Sequence, residues 1–342
     1  MYRILVLIIM LALSACGKEQ ESAEPAGAPD AAPAVETTPE PSFDVSVDRF
    51  ADVEVLRYEV PGFNELSLQE KKLAYYLSQA ALAGRDIIYD QNYEHNLRIR
   101  KLLSAIISTY GGDRDSDDFR NLVEYAKRVW FAHGIHHHSS MDKMLPEFSP
   151  DALVAMVAKS DESKLPLDEG QTQDELLRML RPVIFDPDVA PKRVTLDPGV
   201  DQVVNSATNY YDGVTAAEVE KFYAAKVNED PERPVSWGLN SQLAKVDGEI
   251  VERVWRIDGM YGPAIENIVH WLEKAATVAE NDLQKAWIDK LIKFYRTGDL
   301  RDFDEFNIAW VADTDSRVDA VNGFIEVYGD PIGYRGAWES VV

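Results

Sequence analysis

The sequence is poor in cysteine and in basic residues, and each shortage excludes a class of protein. Its 342 residues include one cysteine, so neither an internal disulfide nor a cysteine-rich zinc module can form within the chain. Lys and Arg number 35 against 59 Asp and Glu, which gives a formal net charge of −24. A chain of that sign is repelled by phosphate backbones, so we predict that nucleic acid is not a partner.

Several catalytic motifs are also missing. None of the six histidines is followed by Glu, so the HExxH helix of many zinc hydrolases is absent. The chain has no G-x-S-x-G elbow, no Walker A loop and no G-x-G-x-x-G fingerprint. Carboxylates are so numerous that a pair of them does not indicate a glycosidase. The residues of this chain alone therefore predict no catalytic residue and no metal ligand set.

The amino terminus is typical of an exported bacterial lipoprotein. Arg3 precedes a short apolar stretch, Ile4 to Leu13, and the sequence Leu-Ser-Ala-Cys ends at Cys16. The apolar stretch is shorter than the ~20 residues of a membrane-spanning helix, and we interpret residues 1–15 as a signal peptide. Lipidation of Cys16 would then anchor the protein in the bacterial cell envelope, as a periplasmic or outer-membrane-associated lipoprotein. The alternative is an ordinary signal peptide with an incidental cysteine.

Residues 16–43 are predicted to form a tether between the lipid anchor and a globular body. The segment after Cys16 is rich in Pro, Ala and acidic residues, and it contains one lysine. Such a composition cannot bury enough apolar surface to offset the entropy of ordering the chain. We therefore expect the body to extend over residues 44–342.

The body shows mainly helical patterns with a smaller β component, and we predict an α+β fold. Ser67 to Glu70 form a capping box ahead of a helical apolar pattern, and Asp247-Gly248 predicts a type I′ hairpin turn. Gly298 is a candidate C-cap, and residues 182–204, with four prolines, suggest loops and short strands. Further helices are predicted near 92–109, 117–133, 150–159, 263–280 and 282–296.

Two segments contain clusters of residue types that can bind metal ions. His133, His136, His137 and His138 lie in FAHGIHHHSS, where Gly134 disfavours a continuous helix, so a loop of packed histidines is favoured over a metal site. Asp113, Asp115, Asp117 and Glu124 match positions 1, 3, 5 and 12 of a calcium loop. The glycine required at position 6 is Asp118, and Asp117 is an equally good N-cap for a helix beginning at Phe119.

The segment GFIEVYGDPIGYRGAWE, which begins at Gly323, is the most unusual in the chain. Its glycines and proline predict an ordered loop after a regular element. Glu326 and Tyr328 are two residues apart, so an extended backbone would place them on one face. A carboxylate and a phenol on one face suit an ammonium and a carbonyl, and the alternative is that both residues are structural.

The body resembles the dipeptidyl peptidase III family of zinc metallopeptidases, peptidase family M49, from about Phe50 onward. The resemblance rests on the FADVEVLRYEVPGF region, on RVWFAHGIHHHSS, on YGPAIENIVHWLEKA and, most specifically, on GFIEVYGDPIGYRGAWES. It implies a two-lobed enzyme that releases dipeptides from the N-terminus of oligopeptides. It also implies that Glu326 receives the amino group of the substrate and that Tyr328 contacts the peptide near the scissile carbonyl.

The resemblance implies in addition a zinc ion held by an HExxGH motif and a later glutamate, and this chain lacks that motif. We therefore expect the N-terminal part of such a peptidase, comprising most of a lower, partly β-barrel lobe. We expect it to hold no zinc, to be inactive alone, and to need a missing C-terminal half. The alternative is a non-catalytic lipoprotein that binds peptides or acts as a scaffold.

Overall fold

The computed structural model describes residues 43–226 and 230–342. By packing, the chain divides into Met1–Asp44 and Val45–Val342, and the fold described below is that of the second unit. The predicted signal peptide, Cys16 and the tether up to residue 42 lie outside the described residues. The predictions made for these segments therefore remain predictions.

Ten α-helices and seven short strands form the described body. The helices are α1 (Leu68–Ala83), α2 (Arg85–Asn92), α3 (Asn96–Thr109), α4 (Asp117–Ala132), α5 (Pro150–Ala158), α6 (Gln173–Phe185), α7 (Ala216–Ala224), α8 (Gly262–Ala276), α9 (Asp282–Thr297) and α10 (Leu300–Ala312). The strands are β1 (Ser46–Phe50), β2 (Val53–Leu56), β3 (Tyr211–Asp212), β4 (Ser241–Val246), β5 (Glu249–Val254), β6 (Val321–Glu326) and β7 (Ala337–Val341).

The strands form three small sheets. The β1–β2 and β6–β7 pairs are antiparallel hairpins, and the third sheet has the order β3-β4-β5 with β3 parallel to β4. The helix-rich α+β class is confirmed. The β component consists of these open sheets, and none of them closes into a barrel within the described ranges.

The local signals at three turns are confirmed. Ser67 and Glu70 form the reciprocal capping box that starts α1. Asp247 and Gly248 both have positive φ, 51° and 86°, as a type I′ turn between β4 and β5 requires. Gly298 ends α9 in the left-handed conformation. Short-range hydrogen bonding and backbone sterics decide each of these positions.

Two hydrophobic cores fill the body. One is built from α1, α8, α9 and the β6–β7 hairpin, and it includes Trp255, Trp287 and Phe324. The other is built from α3, α4, α5 and α6. A smaller cluster lies between α7 and β4.

Helix α2 joins the two cores. Ile87 is buried in the first core, whereas the Tyr89 hydroxyl donates to the carbonyl of Trp130 in α4. Gln91 is fully buried and bonds twice to the last hairpin. Its Nε2 donates to the carbonyl of Gly336 at 3.2 Å, and its Oε1 accepts from the amide of Trp338 at 2.8 Å.

The structure corrects two predictions. Residues 182–185 are not a loop, because α6 continues through Pro182 to bury Leu176, Leu180 and Ile184, and packing outweighs the lost backbone bond. Helix α4 begins at Asp117, as predicted, but Asp117 is not its N-cap: the N-cap is Ser116, whose hydroxyl accepts from the amide of Phe119.

Three helices, α6, α7 and α10, were not predicted from the sequence. Capping boxes at Thr172 and Thr215 were available signals for the first two.

Gly84, between α1 and α2, is in close contact with the indole of Trp338. A Cβ at Gly84 would lie 2.0 Å from Trp338 Cζ2, so we expect Gly84→Ala to lower the free energy of unfolding by about 1–3 kcal/mol through overpacking. Urea denaturation measures this change.

Gly111→Ala is the matched control, because its new Cβ would be 3.5 Å from the nearest atom, the carbonyl oxygen of Lys159. Equal stability of the two variants would contradict the proposed packing of α2 against the last strand.

Candidate functional site

A β-bulge determines which way Glu326 points. Phe324 pairs with Trp338, but Glu326 pairs with Ala337, so one extra residue lies on β6 between the two pairs. In a regular strand Glu326 would share the face of Phe324, which is fully buried in the core. The bulge instead places Glu326 on the opposite face, and bulges commonly redirect side chains in this way.

Glu339 lies on the same face as Glu326. Glu326 is directly opposite Ala337, and Ala337 and Glu339 are two residues apart on β7, so all three share one side of the hairpin. The residue opposite Glu339 is Gly323, which has no side chain to fill the space. The hairpin therefore presents two carboxylates on a single open face.

Tyr328 completes this group from the turn after β6. It lies in that turn and not in an extended segment with Glu326, and 68% of its surface is exposed. Its hydroxyl donates to Glu339 Oε1 at 3.4 Å, a long and therefore weak hydrogen bond. The site is thus Glu326, Tyr328 and Glu339, and the last of these was not predicted from the sequence.

The electrostatics of the site favour a cation. Partial burial and the neighbouring Glu326 raise the pKa of Glu339, and the hydrogen bond from Tyr328 opposes the rise. Partial burial and the two carboxylates also raise the pKa of Tyr328, whereas Arg193 lowers it. Neither Glu326 nor Glu339 belongs to any of the ion pairs found in residues 43–226 and 230–342.

Asp330 fixes the turn that carries Tyr328. Its Oδ2 accepts from the amides of Tyr334 and Arg335, at 3.0 and 2.8 Å, and from the hydroxyl of Tyr211 at 2.7 Å. Its Oδ1 accepts from the amide of Ile332 at 3.0 Å. Four donors to one buried carboxylate hold the loop between β6 and β7 in a single shape.

Arg335 holds the same loop in place and is completely buried. Its guanidinium donates to the carbonyl of Ser241 and to the hydroxyls of Tyr211 and Tyr223. Those hydroxyls donate in turn to Asp330 and Glu252, so two phenols link the cation to two carboxylates. The glycine-rich segment is therefore a rigid support for the carboxylate pair.

The histidine segment forms a loop, as favoured from the sequence. Helix α4 ends at Ala132, and His133 follows in the left-handed conformation. The Nε2–H of His136 donates to the carbonyl of Ala190 at 2.8 Å, and burial lowers the pKa of His136 to about 4. His137 lies 3.1 Å from Asp52 through its Nε2.

The calcium-like residues form a turn that leads into α4. Asp113 accepts from the amide of Asp115, and Asp117 pairs with Arg120. Across the part of the chain that the structure describes, no group of three or more His, Cys, Asp or Glu residues is arranged to hold a metal ion. The described residues therefore do not fit the zinc site that the resemblance implies.

Comparison with known proteins supports the resemblance. The model of "Peptidase family M49" matches residues 239–342. Dipeptidyl peptidase 3 of Dictyostelium discoideum is 22% identical over 310 residues, and that of Homo sapiens is 23% identical over 313 residues. Each match covers 82% of this chain and 42% of the relative. Most of the chain is therefore similar to part of these dipeptidyl peptidases, and its last 104 residues match the family model.

The fold of the chain is similar to part of a solved dipeptidyl-peptidase III. Dipeptidyl-peptidase III from Corallococcus sp. strain EGB matches with a TM-score of 0.54 and 19% identity, covering 85% of this chain and 41% of the solved one. The chain thus spans about 42% of the length of the curated relatives it matches. No helix within residues 43–226 or 230–342 is both long enough and apolar enough to cross a bilayer.

The pKa of Glu339 tests the geometry of the site. We expect Glu326→Gln to lower this pKa, because the neighbouring negative charge is removed. We expect Tyr328→Phe to raise it, because the hydrogen bond that favours the ionised form is lost. Carboxyl-carbon NMR titration of the labelled chain measures both shifts.

Glu249→Gln, on the remote β4–β5 hairpin, is the control and should leave the titration of Glu339 unchanged. Shifts of the same sign in the Glu326 and Tyr328 variants would contradict the arrangement.

Proposed function

We propose that this chain forms the substrate-amine-binding part of a zinc-dependent dipeptidyl peptidase, which releases dipeptides from the N-terminus of oligopeptides. The observation that carries the proposal is that Glu326 and Glu339 share one open face of the β6–β7 hairpin. Neither carboxylate forms an ion pair with any residue in the described ranges. Two like charges held close together are relieved by a cation. The α-ammonium of a peptide is such a cation.

Each residue of the site has a distinct role in this proposal. Glu326 receives the ammonium group, and Glu339 contributes the second charge. The ammonium can replace the weak hydrogen bond between Tyr328 and Glu339, which frees the phenol to donate to a peptide carbonyl near the scissile bond. Amine and carbonyl are then held at a fixed separation, and this separation sets the dipeptide register.

Zinc enters the proposal only as a cofactor of the complete enzyme, where it would activate the attacking water. The chain has no His-Glu pair, and its described residues form no ligand set. The chemical step is therefore assigned to the portion of the enzyme that carries the zinc motif. This portion, the missing C-terminal half, is the proposed partner.

Peptide binding to the whole chain, purified in detergent, tests the amine site. We expect a free-amine tetrapeptide to bind at least about tenfold more tightly than its N-acetylated form, because a charge-assisted hydrogen bond contributes about 1.5–3 kcal/mol. Glu326→Gln should remove this preference, and isothermal titration calorimetry measures both affinities.

Glu249→Gln is the charge-matched control and should keep the preference. Equal binding of the free and acetylated peptides by the unmodified chain would overturn the amine site. The same preparation, supplied with zinc and a dipeptidyl-naphthylamide, separates the enzyme part from a peptide-binding scaffold. We expect no turnover until a segment with the HExxGH motif is added, and binding that never leads to turnover would favour the scaffold.

We further propose that Cys16 carries the lipid that holds the protein in the cell envelope. Cys16→Ser should move the protein from the membrane fraction of a bacterial host to the soluble fraction, because the acyl chains provide the anchoring energy. Fractionation and intact mass of the mature chain measure the change. Lys18→Gln, in the tether, is the control, and a wild-type mass without acyl groups would contradict lipidation.

A further inference from the structure

Arg193 is a half-buried cation without a carboxylate partner. None of the ion pairs in the described ranges includes it. Its Nε and Nη2 both contact the Met141 sulfur, at 3.1 and 2.8 Å. A thioether is a weak acceptor and carries no charge, so the guanidinium is desolvated without being neutralised.

The backbone holds Arg193 in place. Its amide donates to the carbonyl of Met141 at 2.9 Å, and Met141 itself has a φ of 64°. Asp142, which follows Met141, and Lys192, which precedes Arg193, form an ion pair at 2.8 Å. The position of Arg193 is therefore set before any ligand arrives, by the backbone pairing between segments 141–143 and 191–193.

Tyr210 provides a second donor without a partner. The residue is 1% exposed, yet its hydroxyl makes no hydrogen bond within the described residues. The hydroxyl oxygen is also not completely buried. The small exposed fraction therefore includes the hydroxyl. A Cβ on Gly329, next to Tyr328, would lie 3.5 Å from this oxygen.

Arg193 and Tyr210 lie near the turn that carries Tyr328. The carbonyl of Arg193 accepts from the amides of Ala207 and Thr208, at 3.0 and 3.3 Å, shortly before Tyr210, and the Tyr210 hydroxyl lies beside Gly329. Burial lowers the pKa of Arg193, and Tyr210 and Tyr328 oppose that shift. Burial and the charges of Asp330 and Glu339 raise the pKa of Tyr210, whereas Arg193 lowers it. The site thus combines the acceptors Glu326 and Glu339 with the donors of Arg193 and Tyr210.

We propose that Arg193 and Tyr210 form a subsite for a carboxylate, so that the chain prefers peptides with Asp or Glu among their first two residues. The inference rests on the proposed function, because it places this carboxylate beside the bound ammonium. A peptide carbonyl is neutral, so the hydroxyl donors of the site are sufficient to bind it and the guanidinium is not required. A fixed, poorly solvated guanidinium gains most from a full negative charge.

The test compares peptides that differ in one group. Tetrapeptides with Glu or Gln at position 1 or 2, and Ala elsewhere, are titrated into the whole 342-residue chain in detergent. We expect the better-placed Glu peptide to bind about tenfold more tightly than its Gln counterpart, since one charge-assisted hydrogen bond is gained. Arg193→Gln should abolish the difference, and Arg193→Lys should keep part of it.

Tyr210→Phe should reduce the preference about threefold without unfolding the chain, because the lost hydroxyl has no partner. Two controls match the changes in charge and hydroxyl. Arg120→Gln removes an exposed guanidinium on α4, and Tyr125→Phe removes a buried hydroxyl in the other core. Both should retain the tenfold preference.

Two results would overturn the inference: equal loss of affinity for both peptides in Arg193→Gln, which indicates general positioning, or no effect of that change. N-acetylated forms of the same peptides separate this inference from the proposed function. If acetylation weakens binding while Glu and Gln peptides bind alike, the amine site stands and the carboxylate subsite fails. If acetylation has no effect while the Arg193-dependent preference for Glu remains, the carboxylate subsite stands and the amine site fails.

Discussion

The buried guanidinium of Arg335 is the interaction on which the described site depends. A charge removed from water is tolerated only when hydrogen bonds and counter-charges replace its hydration. Here the counter-charges act through two phenols, because Tyr211 and Tyr223 each accept from Arg335 and donate to a carboxylate. One of these carboxylates, Asp330, also binds the amides of the loop, so the arginine, the loop and the β3–β4–β5 sheet are held as one unit.

This unit gives the site its open geometry. The loop between β6 and β7 is rigid, the bulge in β6 turns Glu326 away from the core, and Gly323 leaves space across from Glu339. The carboxylates are therefore close together because the backbone holds them there, despite their repulsion. The free energy of folding offsets this repulsion, and a cation that binds between the carboxylates relieves it. The guanidinium of Arg193, held against the Met141 sulfur, is a positive charge that is likewise partly desolvated.

The parts of the structure that were predictable are those decided locally. Ser67, Asp247-Gly248 and Gly298 were identified correctly because capping and positive φ depend on a few adjacent residues. Pro182 was misleading because the packing of α6 outweighs the preference of a single residue. Glu339 was missed because its closeness to Glu326 depends on a bulge, which alternation alone does not reveal. Arg193 and Tyr210 depend on pairing between segments far apart in sequence. The role of Glu326 and Tyr328 in binding remains a prediction from the family resemblance.

The two hydrogen bonds of Gln91 have a consequence for the order of folding. They join α2 to residues 245 and 247 positions later in the chain, and Gly84 packs against the same late strand. During synthesis, α2 can form early, but its buried amide has no partner until Gly336 and Trp338 have been made. Contacts of such sequence separation are slow to close. The docking of an early helix and the assembly of the carboxylate pair are therefore completed in the same late event, and a ribosome-bound chain shorter than this has neither.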